Sequence, residues 1–136
     1  MYNYGRHYID NEDLENVSKI LNNDTFLTCG PKVREFEEKI CDYTKCKYAC
    51  AVNSCTSALH IACMTINISK ENEVIIPAIS FAASSNCVLY CGGTPVFCDI
   101  DKNTMNIDIN KIEELITPKT KALIIVDFAG QTNDYE

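Results

Sequence analysis

From residue 47 to residue 126 the chain alternates short apolar runs with longer stretches whose apolar residues recur every three or four positions. That alternation constrains the fold more than any other feature. A continuous or period-two apolar run suits a strand, and a period near 3.6 suits a helix. Strands are expected at residues 47–52, 73–76, 96–100 and 122–126, and helices at 56–66, 81–91 and 109–116. The punctuation agrees. Pro77 closes a strand, Gly92-Gly93 closes a helix, Asp108 caps the last helix and Pro118 ends it. Strands separated by helices require crossover connections, which should be right-handed. The expected class is therefore α/β, a mostly parallel sheet with helices on both faces.

The first 46 residues read differently. Asp10 is placed to cap a helix, with Asp13 in the first turn and Ile9 facing Leu14 as a staple. Leu14, Val17, Ile20 and Leu21 continue the stripe until Asn22-Asn23-Asp24 stops it. Thr25-Phe26-Leu27-Thr28-Cys29-Gly30 forms a loop, and Pro31 opens a second helix. Val33, Phe36, Ile40 and Tyr43 are its expected buried face. The division expected is a helical segment with a loop, residues 1–46, followed by an incomplete α/β domain, residues 47–136. An α/β sheet that stops on a loop after a buried strand suggests the front part of a larger protein.

Charge and cysteine content narrow the function classes. The formal net charge is −7 and no Lys/Arg cluster occurs, so binding to a nucleic-acid backbone is not expected. The longest apolar runs are too short for a bilayer-spanning helix, and the polar N-terminus lacks a signal-peptide core. A cytoplasmic location without a membrane partner is the expectation. Nine cysteines are an odd number and no C-x-x-C occurs. Neither a disulfide framework nor a metal site is expected, and most cysteines should be small apolar fillers.

Candidate chemistry lies in loops at the carboxyl ends of strands, where parallel sheets bind ligands. The richest is Asn53-Ser54-Cys55-Thr56-Ser57, a run of small side chains between an apolar run and a helix. Backbone N–H groups can approach an oxyanion there, the helix adds the positive end of its dipole, and Thr56 and Ser57 add hydroxyl donors. Plain capping by Ser54 and Thr56 is the competing reading. In the loop 77–81, Phe81 is either a ring that stacks on a flat ligand or an ordinary core aromatic. Asp99 and Asp101 suit a hard cation or a capped turn. Asp127 suits a polar site group or a loop cap. His60 lies inside a helix, and no hydrolase elbow, P-loop or dinucleotide fingerprint occurs. The residues point to a phosphorylated, planar ligand and stop short of a reaction.

Six segments occur together in one order: Gly30-Pro31-Lys32-Val33-Arg34-Glu35-Phe36-Glu37, Asn53 to His60, residues 73–83, residues 93–101, Ile107-Asp108, and residues 116–122. In that order and spacing the chain resembles the DegT/StrS family. These are pyridoxal-phosphate-dependent nucleotide-sugar aminotransferases of aspartate-aminotransferase fold, and the likeness runs along essentially all 136 residues.

The resemblance implies a set of roles. Thr56 and Ser57 match the position that holds the cofactor phosphate, and Phe81 matches the aromatic that stacks on the pyridine ring. Tyr4, Thr25, Phe26, Leu27, Thr28 and Cys55 match positions lining the sugar-nucleotide site. The implied reaction moves an amino group from glutamate to a nucleotide-linked keto sugar of the UDP-4-keto-6-deoxy type, for amino-sugar and surface-glycan synthesis, in a homodimer. The family's Schiff-base lysine and its ring-nitrogen aspartate both fall beyond the point matching Glu136. No catalytic residue is therefore assigned within this chain. Two alternatives stay open: a sugar dehydratase of the same family, in which histidine replaces that lysine, and a non-catalytic phosphate-binding fragment.

Overall fold

Asp10 sets the first helix. In the computed structural model, which describes residues 5–23 and 26–135, its carboxylate accepts from the N–H groups of Glu12 and Asp13 at 2.9 and 3.1 Å. The Asp13 carboxylate accepts in return from the Asp10 N–H at 3.1 Å. This reciprocal cap opens α1, Asn11–Asn23. Pro31 then starts α2, Pro31–Thr44, with Gly30 as the capping residue. Lys45, in the left-handed conformation at φ 60°, ends α2.

Contacts divide the chain into two units, Met1–Ala51 and Val52–Glu136. In the first, the expected buried face of α2 is not buried. Val33 and Ile40 are half-covered, whereas Phe36 and Tyr43 are exposed. Helical spacing sets which face a side chain lies on, not whether another element covers that face. The expected strand at 47–52 is not a strand either. Residues 45–52 lie outside regular structure, and the Ala51 N–H donates to the Glu37 carboxylate at 2.8 Å. A side-chain acceptor has taken the place of a neighbouring strand.

The second unit contains α3 (Cys55–Thr65), β1 (Glu73–Pro77), α4 (Ala83–Tyr90) and β2 (Thr94–Cys98). A 3-10 turn, Ile109–Lys111, runs into α5 (Ile112–Leu115), then β3 (Thr120–Leu123) and a second 3-10 turn, Phe128–Gly130. The sheet order is β2-β1-β3 and both pairings are parallel, as the alternation of elements predicts. Several boundaries move inward. α4 begins at Ala83 because Phe81 and Ala82 form the turn before it, with the Phe81 carbonyl accepting from the Ser84 N–H. At its far end Gly92 takes φ +81°, a conformation costly for other residues. β2 sits two residues earlier than expected because the Ile100 N–H turns onto the Asp99 carboxylate and leaves the ladder. β3 likewise starts at Thr120 and stops at Leu123, although Ile124 still donates to the Ile75 carbonyl at 2.9 Å.

β1 shows why the sheet needs cover on both sides. Val74 and Ile76 point into a cluster with Cys63, Ile68, Cys87 and Val88, beneath α3 and α4. Ile75, between them, points the other way into a cluster with Cys98 and Ile107, packed by Ile112 and Leu115 of α5. This is the period-two rule of a strand buried on both faces. Cys63, Cys87 and Cys98 are apolar fillers as expected, and all nine cysteines are free thiols. Cys29, Cys46, Cys50 and Cys55 are exposed, so filler is not their role.

Candidate functional site

The sheet brings the carboxyl end of β1, the residues after β3 and the first turn of α3 to one place. Cys55, Thr56, Ser80, Phe81, Ser84 and the segment 124–126 line a common cavity of about 360 Å³, with Leu59 and Ala83 behind them. That volume lies at the small end of the range for small-molecule sites, roughly 300–1,000 Å³. The wall is mostly apolar, with Thr56 at the start of α3 and Ser80 and Ser84 after β1 as its hydroxyl-bearing residues.

α3 brings Thr56 and the first N–H groups of a helix to this lining. Ser54 is its N-cap, extended at φ −161°, and its hydroxyl oxygen accepts from the Ser57 N–H at 3.2 Å. The first intrahelical bond runs from the Ala58 N–H to the Ser54 carbonyl. The N–H groups of Cys55 and Thr56 therefore have no acceptor among the described residues. The Thr56 hydroxyl also makes no hydrogen bond to a described residue. Ser57 differs. Its hydroxyl donates to the Asn53 side-chain carbonyl at 2.7 Å and lies 3.0 Å from the Ser54 hydroxyl. Ser54 therefore caps the helix, the Thr56 hydroxyl makes no capping bond to a described residue, and Cys55 and Thr56 line the cavity.

Phe81 stands across the cavity. It is 78% exposed, so it is not an ordinary core aromatic. Behind it the Ser80 and Ser84 hydroxyls are 2.7 Å apart, and Ser84 is buried. Sequence reasoning passed over both serines. Their signal was position: Ser80 follows a strand's carboxyl end, and Ser84 lies one helical turn further on.

The other candidates take different roles. Asp99 accepts from the Lys111 ammonium at 2.9 Å, which holds its carboxyl below the usual range and lifts the lysine above its own. Asp101 accepts from the N–H groups of Asn103 and Thr104, a capped turn. Among the described residues no group of three or more His, Cys, Asp or Glu is arranged for a metal ion. Asp127 accepts from Asn133 and from the Tyr135 hydroxyl, and so ties down its own loop. His60 packs edge-on against Tyr90 with ring centroids 5.3 Å apart. Phe26, Leu27 and Thr28 are exposed in the first unit, where a Cβ on Gly30 would collide with the Phe26 carbonyl. Tyr4 and Thr25 lie outside the described residues.

The profile of the DegT/DnrJ/EryC1/StrS aminotransferase family matches residues 7–136. The chain belongs to this family. It is 41% identical over 133 residues to the spore coat polysaccharide biosynthesis protein SpsC of Bacillus subtilis, covering 98% of this chain and 34% of that protein. The aminotransferase PseC of Helicobacter pylori, involved in the biosynthesis of pseudaminic acid, superposes with a TM-score of 0.86 at 39% identity. That match covers 98% of this chain and 36% of that one. The sugar aminotransferase Spr1654 of Streptococcus pneumoniae, solved in both PLP and PMP forms, superposes with a TM-score of 0.89 at 34% identity. It covers 94% of this chain and 32% of that one. The chain thus spans about a third of the length of the relatives it matches. These likenesses establish the PLP-transferase type of α/β fold that the six ordered segments imply.

Proposed function

We propose that residues 1–136 form part of a pyridoxal-phosphate-dependent aminotransferase that acts on a nucleotide-linked keto sugar. One observation carries the reading. Two N–H groups and a hydroxyl without a partner among the described residues, at the start of an 11-residue helix, line an apolar cavity faced by an exposed aromatic ring. A dianionic phosphate suits the helix start, because fixed donors and the dipole replace the water it loses. A flat heterocycle suits the face of Phe81. The residues present fit the cofactor.

In this reading Thr56 and the α3 amides hold the phosphate, with Ser57 supporting them. Phe81 lies against the pyridine ring. Ile124, Ile125, Val126 and Leu59 exclude water beside the ring, which strengthens every polar contact there. When bound, pyridoxal phosphate supplies an electron sink for moving an amino group. Cys55 in the second unit, and Tyr4, Thr25, Phe26, Leu27 and Thr28 in the first, are the residues proposed to contact the sugar nucleotide. Residues 1–46 act as the substrate-loop segment and residues 47–136 as part of the cofactor-binding domain. Glutamate is the proposed amino donor, a UDP-4-keto-6-deoxy sugar the proposed acceptor, and a cytoplasmic homodimer the proposed form. The proposed process is amino-sugar synthesis for a surface glycan. No helix among the described residues is long and apolar enough to cross a membrane.

The test uses the protein with the continuation of its reading frame. Borohydride treatment should fix the cofactor to a lysine, and glutamate should convert the bound chromophore to the pyridoxamine form. A protein that takes up pyridoxal phosphate but leaves it unchanged with every amino donor contradicts the aminotransferase assignment.

A further inference from the structure

Phe81 is tied at both ends to one residue. Its carbonyl accepts from the Ser84 N–H at 3.0 Å. On its other side in the chain, the Ser80 hydroxyl lies 2.7 Å from the Ser84 hydroxyl. Ser84 is buried in the first turn of α4, beside Ala83 and one turn before Cys87 and Val88 of the core. The anchor therefore sits in the packed part of the second unit. The backbone bond closes a turn and asks nothing of the side chain at position 84. The second bond requires a hydroxyl there.

The ring leans on this anchor more than a core aromatic would. Phe81 is 78% exposed, so packing does little to hold it, and its direction follows the backbone that carries it. It also has room on two sides. Ser80, Phe81 and Ser84 line the cavity of about 360 Å³ with Thr56, and they line a second opening of about 160 Å³ with Pro77 and Phe97. Loosening of residues 80–82 lets the ring leave the cofactor side for the other opening. The two hydroxyls are not equivalent in this device. Ser84 is 5% exposed, so its proton goes to the Ser80 oxygen, whereas half-buried Ser80 can offer its own proton to water. Loss of the Ser80 hydroxyl strands a buried donor, and loss of the Ser84 hydroxyl strands none. Ser84→Ala is therefore the cleaner probe.

Building on the placement of the pyridine ring against Phe81 proposed above, we infer that Ser84 is a positioning residue: through Ser80, its hydroxyl holds the Phe81 ring toward the cofactor cavity. Its contribution to cofactor binding passes through that ring and not through a contact of its own. The gain is entropic. A ring already facing the cavity loses less freedom when a flat ligand arrives than a ring shared between two openings.

The test is a double-mutant cycle on the protein with its reading frame continued, titrated with pyridoxal phosphate. S84A should raise Kd by about three- to tenfold, the effect of one net hydrogen bond. In F81A, where no ring remains to be aimed, adding S84A should change Kd by no more than about twofold. A second measurement needs no cofactor. With 4-fluorophenylalanine at position 81 alone, the apo protein should give one fluorine resonance, which S84A should shift or split. The role of Ser84 is overturned if S84A leaves the wild-type Kd unchanged, if it costs as much in F81A as in wild type, or if the fluorine signal is the same with and without the Ser84 hydroxyl. An F81A protein that binds pyridoxal phosphate as tightly as wild type overturns the stacking role of Phe81 itself, and Ser84 then loses its place in cofactor binding whatever the fluorine signal shows.

Discussion

The Ser57 hydroxyl donates to the Asn53 side-chain carbonyl at 2.7 Å, so its proton is committed inside the turn. Thr56, one residue earlier, has no such partner among the described residues. The two hydroxyls that look equivalent in the sequence are therefore unequal donors. Hydrogen bonds to charged groups contribute about 1.5–3 kcal/mol. Thr56→Ala should weaken pyridoxal phosphate binding by roughly tenfold or more at 1.4 kcal/mol per decade, and Ser57→Ala by less. Titration of each variant with cofactor, followed by absorbance, ranks them.

Ser54 serves stability before it serves any ligand. Its oxygen satisfies the Ser57 N–H and fixes where α3 begins. Ser54→Ala should cost about 1 kcal/mol in thermal or denaturant unfolding, while Ser54→Asp should keep most of the cap. Loss of cofactor binding in the alanine variant without a stability change would contradict this role.

The centre of the sheet should be the most sensitive place in the second unit. Ile75 is fully buried against Cys98 and Ile107. Ile75→Ala should destabilise by about 2–5 kcal/mol, with a cavity left on the α5 face. Phe97→Ala, at an exposed β2 position, should cost far less. Chemical denaturation of both variants supplies the comparison.

Asp127 makes the terminal loop sensitive to acid. Donation from Asn133 and Tyr135 holds its carboxyl below the usual aspartate range. A folded value below the unfolded one means that its stabilising effect is present at neutral pH and is lost as pH falls through the folded value. The protection factor of the Asn133 amide, corrected for the intrinsic exchange rate, should therefore fall as the pH drops into the acid range where Asp127 takes up its proton. In Asp127→Asn that acid step should disappear.

Thiol reactivity should sort by burial. Desolvation first, then Cys87 at 3.6 Å, pushes the Cys63 thiol up to about 11. Cys63, Cys87 and Cys98 should resist maleimide in the folded protein and react on unfolding. Cys29 and Cys55 should react at once. Mass mapping after a short pulse separates the two groups.

Much of this was legible in the sequence because it is written locally. Asp10, Pro31, Ser54, Pro77 and Gly92 mark ends of elements, and each does so in the structure. β1 could be read because Val74-Ile75-Ile76 is apolar on both faces, which only a doubly covered strand requires. What depended on distant partners could not be read. Residues 47–52 have the composition of a strand, yet the Ala51 N–H bonds to Glu37 instead of a neighbour. Phe36 and Tyr43 keep helical spacing, but spacing does not say whether anything covers them. In the site, Thr56 and Phe81 were visible as types in a loop. That Ser57 is tied back to Asn53, and that Ser80 and Ser84 join the cavity wall, follows from side-chain geometry that no motif encodes.

The start of α3 is the proposed seat of the cofactor phosphate. The most direct measurement compares pyridoxal phosphate with pyridoxal, which lacks the phosphate, on the intact protein and on its Thr56→Ala variant. The phosphate form should bind more tightly to the wild-type protein, and most of this advantage should disappear in the variant. Equal binding of the two compounds to wild type, or an advantage that survives Thr56→Ala in full, would contradict that seat.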